Sequence, residues 1–355
     1  MASVRGAHHY QRVRIASLGY QLAPIVVTSA ELEDRLAPIY QRLRLPMGQL
    51  AALTGVEERR WWERDHRLSD GAVAAGAHAL QQAGIAAADL DAVVYAGVCR
   101  EHAEPATACR VAHELGVGAT AEVFDISNAC LGVLNGMLAI AQRIELGQVR
   151  AGLVVACESA REINEIAIAR LAARPDLENY ARGLATLTGG SGAAAVLLMA
   201  DSGAPPESAQ LLGGVARAAP AHHELCRWGT RRTERLGELE EFMTTDSVAV
   251  LKHGVELGLA TWRDFLTAMN WRAADIARTI CHQVGSAHRD TILPSLGVAA
   301  ERDFITYPFL GNMGTVSLPL TAALALERGV LARGHRTALL GIGSGLNCLM
   351  LGCQW

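Results

Sequence analysis

The chain has 355 residues, of which half are hydrophobic and 19% are charged, with a formal net charge of −4. This length suits two domains or one fold built from two halves, the apolar fraction supplies a large core and excludes global disorder, and the mild acidity leaves no basic footprint for nucleic acid. The eight cysteines, at 99, 109, 130, 157, 226, 281, 348 and 353, form no CxxC pair and no Cys/His cluster at zinc spacing, so the expectation is reduced thiols in the cytoplasm and no metal.

In chain order, Val13 to Leu22 is strand-like and opens the core sheet. Leu18 to Val27 is mostly apolar, but Pro24 interrupts it, and no run approaches the ~18 apolar residues of a membrane span. Thr28-Ser-Ala-Glu31 has the signature of a capping box before a helix that Pro38 should bend or end. Thr54-Gly-Val-Glu-Glu-Arg-Arg-Trp-Trp62 is a turn and then a basic-aromatic cluster. It reads either as a solvated surface with Trp packed inward or as a coenzyme entrance. In the second case Arg59 and Arg60 hold phosphates, and Trp61 or Trp62 stacks on the adenine. Ser69-Asp70 is expected to cap a long Ala-rich helix to Gly84, and Leu90 to Val98 reads as a buried parallel strand. Arg100 to Pro105 is a charged loop, followed by a helix from Ala106 to Leu115.

Val123 to Met137 is the stretch around which the chain is organised. An apolar strand ends in Asp125-Ile-Ser-Asn128. Cys130 follows, and a helical pattern then runs to Leu146. A helix start offers free N–H groups and a partial positive charge, which favour thiolate at Cys130. Gly152 to Ser159 is another buried strand, Arg161 to Leu187 reads as an irregular, partly helical cap over a pocket, and Gly189 to Leu198 leads into a further strand. Asp201-Ser-Gly-Ala-Pro-Pro-Glu-Ser208 is the best boundary, giving halves at 1–205 and 206–355.

After that boundary the pattern begins again. Ala87 to Val98 parallels Ala273 to Val284, and the strand Gly152 to Ser159 parallels Ala338 to Gly345. The step from Glu145 to Glu327, 182 residues, also carries Cys130 onto Asn312. Both fall at turns that open helices, and His282 ends the strand matching Leu90 to Val98. Active residues of α/β folds collect beyond the carboxyl ends of strands, so the topology brings Cys130, His282 and Asn312 together. Taken alone, His282 suits a satisfied core histidine and Asn312 a helix cap. Their shared register argues for a joint role.

A cysteine of this kind takes an acyl group from a thioester. Neutral His282 and the Asn312 amide can hold a second thioester's carbonyl oxygen as an enolate forms. The N–H of Cys130 and one from Gly343-Ser344-Gly345 can make a further oxyanion hole. The enolate carbon then attacks the acyl-cysteine, with no cofactor required.

Asp125-Ile-Ser-Asn-Ala-Cys-Leu-Gly132, Cys281-His-Gln-Val284 and Leu310-Gly-Asn-Met-Gly314 resemble the cysteine, histidine and asparagine motifs of the thiolase superfamily, in its type III ketoacyl synthase branch. Thr54-Gly-Val-Glu-Glu-Arg59 is similar to an early element of that branch, and the resemblance covers nearly the whole chain. It implies an α/β fold of two pseudo-symmetric βαβαβ-type halves in a five-layer α-β-α-β-α arrangement, and a homodimer. Ala338 to Cys348 and Glu104-Pro105 are similar to the OleA group, which joins two acyl-CoA molecules head to head. The resemblance implies acyl-CoA substrates, a 2-alkyl-3-ketoacid product, and Glu104 as a base that reaches the partner subunit's site. A malonyl donor would lose CO2 and need no such base. The competing readings are a decarboxylating synthase using a malonyl thioester, with an acyl carrier protein as a possible partner, transfer to an oxygen or nitrogen nucleophile, and a non-catalytic subunit. Tyr307-Pro-Phe-Leu-Gly311 and Met313 depart from the family form.

Overall fold

Strands rich in Val, Leu and Ala bury both faces only when helices cover the sheet from each side, and this chain is built that way. The computed structural model describes residues 4–233 and 237–355. Its first part runs β1 (Ala7–His9), β2 (Val13–Leu22), β3 (Ile25–Thr28), α1 (Ser29–Leu43), α2 (Gln49–Thr54), β4 (Glu58–Trp61), α3 (Leu68–Ala83), β5 (Ala92–Tyr95), α4 (Thr107–Leu115), β6 (Glu122–Asp125), α5 (Gly132–Glu145), β7 (Ala151–Glu158), α6 (Arg161–Ala173), α7 (Leu177–Leu187) and β8 (Gly192–Ala200). The remainder is β9 (Ala209–Ala218), β10 (Cys226–Arg232), β11 (Leu239–Thr245), α8 (Ser247–Met269), β12 (Arg278–Cys281), α9 (Ser286–Leu296), α10 (Tyr307–Leu310), α11 (Ser317–Glu327), β13 (Arg336–Gly343) and β14 (Asn347–Gln354).

The strand order is β12-β13-β14-β9-β2-β8-β7-β5-β6, with β1 added on β9. The order repeats on the two sides of the β2–β9 seam. On one side β6, β5 and β7 are parallel neighbours, and β8 and β2 follow antiparallel. On the other, β12 and β13 are parallel, and β14 and β9 follow antiparallel. Asp303 bridges Thr279 of β12, at the place β6 holds beside β5. The seam itself is short, pairing only Arg14 with Gln210 and Ile15 with Ala209.

Period-two alternation sorts the side chains into layers. Val93, Leu153, Val155, Ala195 and Leu197 face α3 and α4 on one outer side. Cys281, Ala338, Leu340, Cys348 and Met350 face α8 and α9 on the other. The opposite faces of both sheets, including Val94, Val154, Ile280 and Leu339, share one cluster with α5 and α11. Helix α11 is buried over nearly its whole length and α5 over most of it, as central-layer helices must be. The result is the expected α-β-α-β-α stack.

Several local expectations change. Thr28 and Glu31 form the capping box, but α1 runs through Pro38 to Leu43. Proline forfeits one helical bond, which the burial of Leu32, Leu36, Ile39 and Tyr40 offsets. Ser69 lies inside α3 rather than capping it, and its N–H and hydroxyl donate to Glu101 at 2.9 and 2.6 Å. The strand expected over Leu90 to Val98 is shorter, Ala92–Tyr95, and follows a 3-10 turn at Ala87–Asp89. The expected cap over 161–187 is the pair α6 and α7. Among the described residues, no helix is long and apolar enough to cross a membrane.

Candidate active site

Strand β6 delivers the chain to a tight turn in which Ala129 adopts φ 45°. A non-glycine residue in that region marks a constrained turn. Leu131 and Gly132 donate backbone N–H groups to the Asn128 and Ala129 carbonyls at 2.9 and 3.2 Å, and α5 begins at once. Gly132 is required here, because a Cβ would lie 2.1 Å from the Ala96 carbonyl oxygen. The next N–H, of Val133, donates to Thr315 Oγ1 at 2.7 Å, tying the cysteine helix to the turn that carries Asn312.

Asn312 is held on both sides of its backbone. Its N–H donates to the Thr188 carbonyl at 3.0 Å, and its carbonyl accepts from Gly190 at 2.9 Å. The side-chain Oδ1 accepts from the Gly314 N–H at 3.0 Å, so Nδ2 is the end left to donate elsewhere. His282 follows β12, with its N–H on the Leu340 carbonyl at 2.9 Å. Burial, and then neighbouring His288, push its pKa down to about 3, so the imidazole is neutral. Its buried Nδ1 has no hydrogen-bond partner among the described residues. With no acceptor against Nδ1, we assign the ring proton to Nε2.

Cys130, His282, Asn312 and Ser344 all line one cavity of about 650 Å³. Its walls are largely apolar and include Ile163 of α6, Trp228, Phe242 and Met243 of the β10–β11 hairpin, and Ile342 of β13. Ala185 and Thr186 of α7 also line it, so both cap helices reach the cavity. Gly343 lies against the cysteine, since a Cβ built on it would be 3.3 Å from the Cys130 nitrogen. Ser344 is at the cavity wall, whereas Gly345 packs on Asn347.

The state of Cys130 differs from the sequence expectation. Burial raises its pKa to about 12, Cys226 and Glu158 add to the rise, and its own backbone N–H opposes it. Desolvation outweighs the helix terminus, so the resting group is a thiol.

The basic-aromatic cluster is also corrected. Arg59 is fully buried and Trp61 is 4% exposed. The Arg59 guanidinium donates to Ser29 Oγ at 3.0 Å and to the Leu187 and Val27 carbonyls at 3.2 and 3.4 Å. It ties the β3–β4 ribbon to the end of α7, and burial lowers its pKa to about 10. Arg60 donates to the Ala23 carbonyl at 3.3 Å, and none of Arg59, Arg60 and Trp61 lines the cavity. The two guanidinium groups donate to three backbone oxygens, of Val27, Leu187 and Ala23, and Trp61 packs in the apolar cluster with Leu32, Leu36 and Leu187. Arg59→Ala is therefore expected to cost about 3 kcal/mol, by leaving buried acceptors unpaired and opening a cavity. Urea unfolding checks this, and an unchanged midpoint would contradict it.

Glu104 lies on the exposed loop after β5, outside the residues lining the cavity. Within one chain the structure does not bring it to Cys130. Four ionisable groups in the cavity were not singled out from the sequence: Glu158, Cys226, Arg227 and His288. Glu158 ends β7 and accepts from the Val98 and Cys99 N–H groups at 2.8 and 3.0 Å. Burial raises its pKa, and those bonds partly offset the rise. A lone carboxylate closing the apolar run Gly152 to Glu158 is the signal that could have found it. Cys226 and His288 carry no such pattern. Among the described residues, no group of three or more His, Cys, Asp or Glu is placed to hold a metal.

Comparison with known proteins agrees with this geometry. Residues 51–182 match the thiolase N-terminal domain, and residues 266–355 match the C-terminal domain of 3-oxoacyl-[acyl-carrier-protein] synthase III. An acyl-CoA:acyl-CoA alkyltransferase of Shewanella oneidensis is 55% identical, over 98% of this chain and 99% of its own. The enzyme of that name from Xanthomonas campestris is 35% identical, with 98% and 99% covered. A crystal structure of Xanthomonas campestris OleA with bound lauric acid and lauroyl-CoA superposes with a TM-score of 0.91 at 33% identity, covering 98% of this chain and 100% of that one. A thiolase fold, a cavity shared by Cys130, His282 and Asn312, and full-length likeness at this level together place the chain in the acyl-CoA:acyl-CoA alkyltransferase (OleA) family of the thiolase superfamily.

Proposed function

We propose that this protein joins two fatty acyl-CoA molecules head to head through an acyl group carried on Cys130. The observation that carries the reading is the single cavity in which Cys130, His282 and Asn312 meet within apolar walls. In the first step the Cys130 sulfur attacks the thioester carbonyl of one acyl-CoA. The tetrahedral oxyanion is held by the N–H groups of Cys130 and Ser344, and CoA leaves with the thiol proton. In the second step Glu104 takes an α-proton from another acyl-CoA. The enolate oxygen is held by Nε2–H of neutral His282 and Nδ2–H of Asn312. The α-carbon attacks the acyl-Cys carbonyl, a C–C bond forms, and the cysteine sulfur leaves and is reprotonated by Glu104. Hydrolysis of the remaining thioester releases the second CoA and a 2-alkyl-3-ketoacid.

The base role of Glu104 requires a second chain, because its loop lies outside its own chain's cavity. Strand β6 supports a homodimer. It is the terminal strand of the sheet order, and its Val123 and Phe124, with Ile126 just beyond it, are only partly buried. An edge of that kind is a template for pairing with another chain. The CoA phosphates are assigned to the hairpin side, where Arg227 lines the cavity. Eight free cysteines support a cytoplasmic setting.

The decisive experiment supplies acyl-CoA alone and measures both free CoA and product. The expected result is two CoA released per ketoacid, without a malonyl donor or carrier protein. Product formation only with malonyl-CoA would overturn this reading in favour of a decarboxylating synthase.

A further inference from the structure

The acylation oxyanion hole draws its two donors from opposite halves of the chain. The Cys130 N–H belongs to the turn before α5, and the Ser344 N–H to the turn between β13 and β14. The turns are linked by a directional relay of three asparagines. Asn347 Nδ2 donates to the Ser344 carbonyl at 3.2 Å and to Asn128 Oδ1 at 3.1 Å. Asn128 Nδ2 in turn donates to Asn135 Oδ1 at 2.8 Å. Asn135 sits in the first turn of α5, so the relay runs from the cysteine helix across Asn128 to the Ser344 turn.

Each amide has its orientation fixed by its neighbour. Rotating Asn128 by half a turn would set its NH2 against the NH2 of Asn347 and its oxygen against that of Asn135. The bonds are part-buried, where water competes less for them. An oxyanion hole works by pre-set donors, and a loose pair of turns would have to reorganise during reaction.

We propose that Asn347 and Asn128 are positioning residues for acylation, setting the separation of the Cys130 and Ser344 N–H groups. This rests on the functional reading above. The amides act through backbone groups, so substrate affinity should be spared and the chemical step slowed.

The test uses the full-length protein and a saturated fatty acyl-CoA. Single-turnover acylation is followed by intact mass, and acyl-CoA affinity is measured separately in a Cys130→Ala background. Asn347→Asp keeps the shape of the side chain but loses both donor bonds. It is expected to slow acylation on the order of 30-fold while affinity changes less than about 2-fold. Asn128→Asp still accepts from Asn347 but loses its donor bond to Asn135, and is expected to slow acylation roughly 5-fold, as Asn135→Ala does. Should Asn347→Asp fail to fold, Asn135→Ala at the far end of the relay is expected to slow acylation roughly 5-fold at unchanged affinity. Acylation at the wild-type rate in the folded Asn347→Asp or Asn135→Ala variant, or loss of affinity in proportion to rate, overturns the proposal. A wild-type chain that acyl-CoA leaves unmodified sinks the functional reading first, and the positioning role with it.

Discussion

Cys130→Ala is expected to abolish condensation, lowering CoA release by at least about 10⁴-fold. The reaction is split into two displacements only because one residue carries the acyl group between them. Neither His282, neutral with its pKa near 3, nor the Asn312 amide can stand in as that carrier. The variant should still bind acyl-CoA, since the cavity walls are untouched. Mapping the wild-type adduct sharpens the result, because a second thiol, Cys226, lines the same cavity. An adduct on Cys130 alone is expected. The Cys130 N–H and the Ser344 turn lie beside Cys130, and proximity to those donors selects the sulfur. An adduct retained in Cys130→Ala, carried on Cys226, would show that the cavity acylates whichever thiol it holds.

Glu104→Ala is expected to separate the half-reactions. One CoA per site should be released quickly as Cys130 is acylated, and turnover should then stop. Ketoacid formation should fall about 10³-fold, within the range for loss of a general base. An α-proton of a simple thioester is not lost spontaneously at neutral pH, whereas a malonyl group would make its carbanion by losing CO2. Unimpaired condensation in Glu104→Ala would therefore remove the residue from the mechanism. Mixing tests the subunit question directly. Neither Cys130→Ala nor Glu104→Ala alone should condense. A mixed dimer should hold one complete site if Glu104 acts across the interface, restoring roughly a quarter of wild-type activity on random pairing. No recovery would place Glu104 in its own chain's site or outside catalysis.

The parts legible in the sequence were those that repeat. The matching of β5 with β12 and β7 with β13 could be read because buried parallel strands leave long apolar runs after polar turns. The same register carried Cys130 onto Asn312 and set His282 at a strand end, and the structure brings all three to one cavity. What stayed hidden depends on burial, which a linear pattern does not record. Arg59 and Trp61 have the composition of a surface cluster, yet Arg59 turns inward onto the Leu187 carbonyl at the end of α7, and Trp61 packs in the apolar cluster beside it. The thiol form of Cys130 was hidden for a related reason. Its helix terminus is visible in the sequence, while the apolar walls around it come from separate elements, α6, β13 and a hairpin a hundred residues away. Cys226 sits on that hairpin with no partner pattern near it.

The short seam between β2 and β9 has a further consequence for how the molecule comes apart. Only two residue pairs join the sheets there, so the ladder hardly couples them. The coupling lies in the central cluster, where α5 and α11 are buried against both sheets at once. Opening either half would strip the covering from the other half's inner face and expose it to water. The two halves should therefore melt in a single cooperative transition, with neither persisting as a folded fragment of its own.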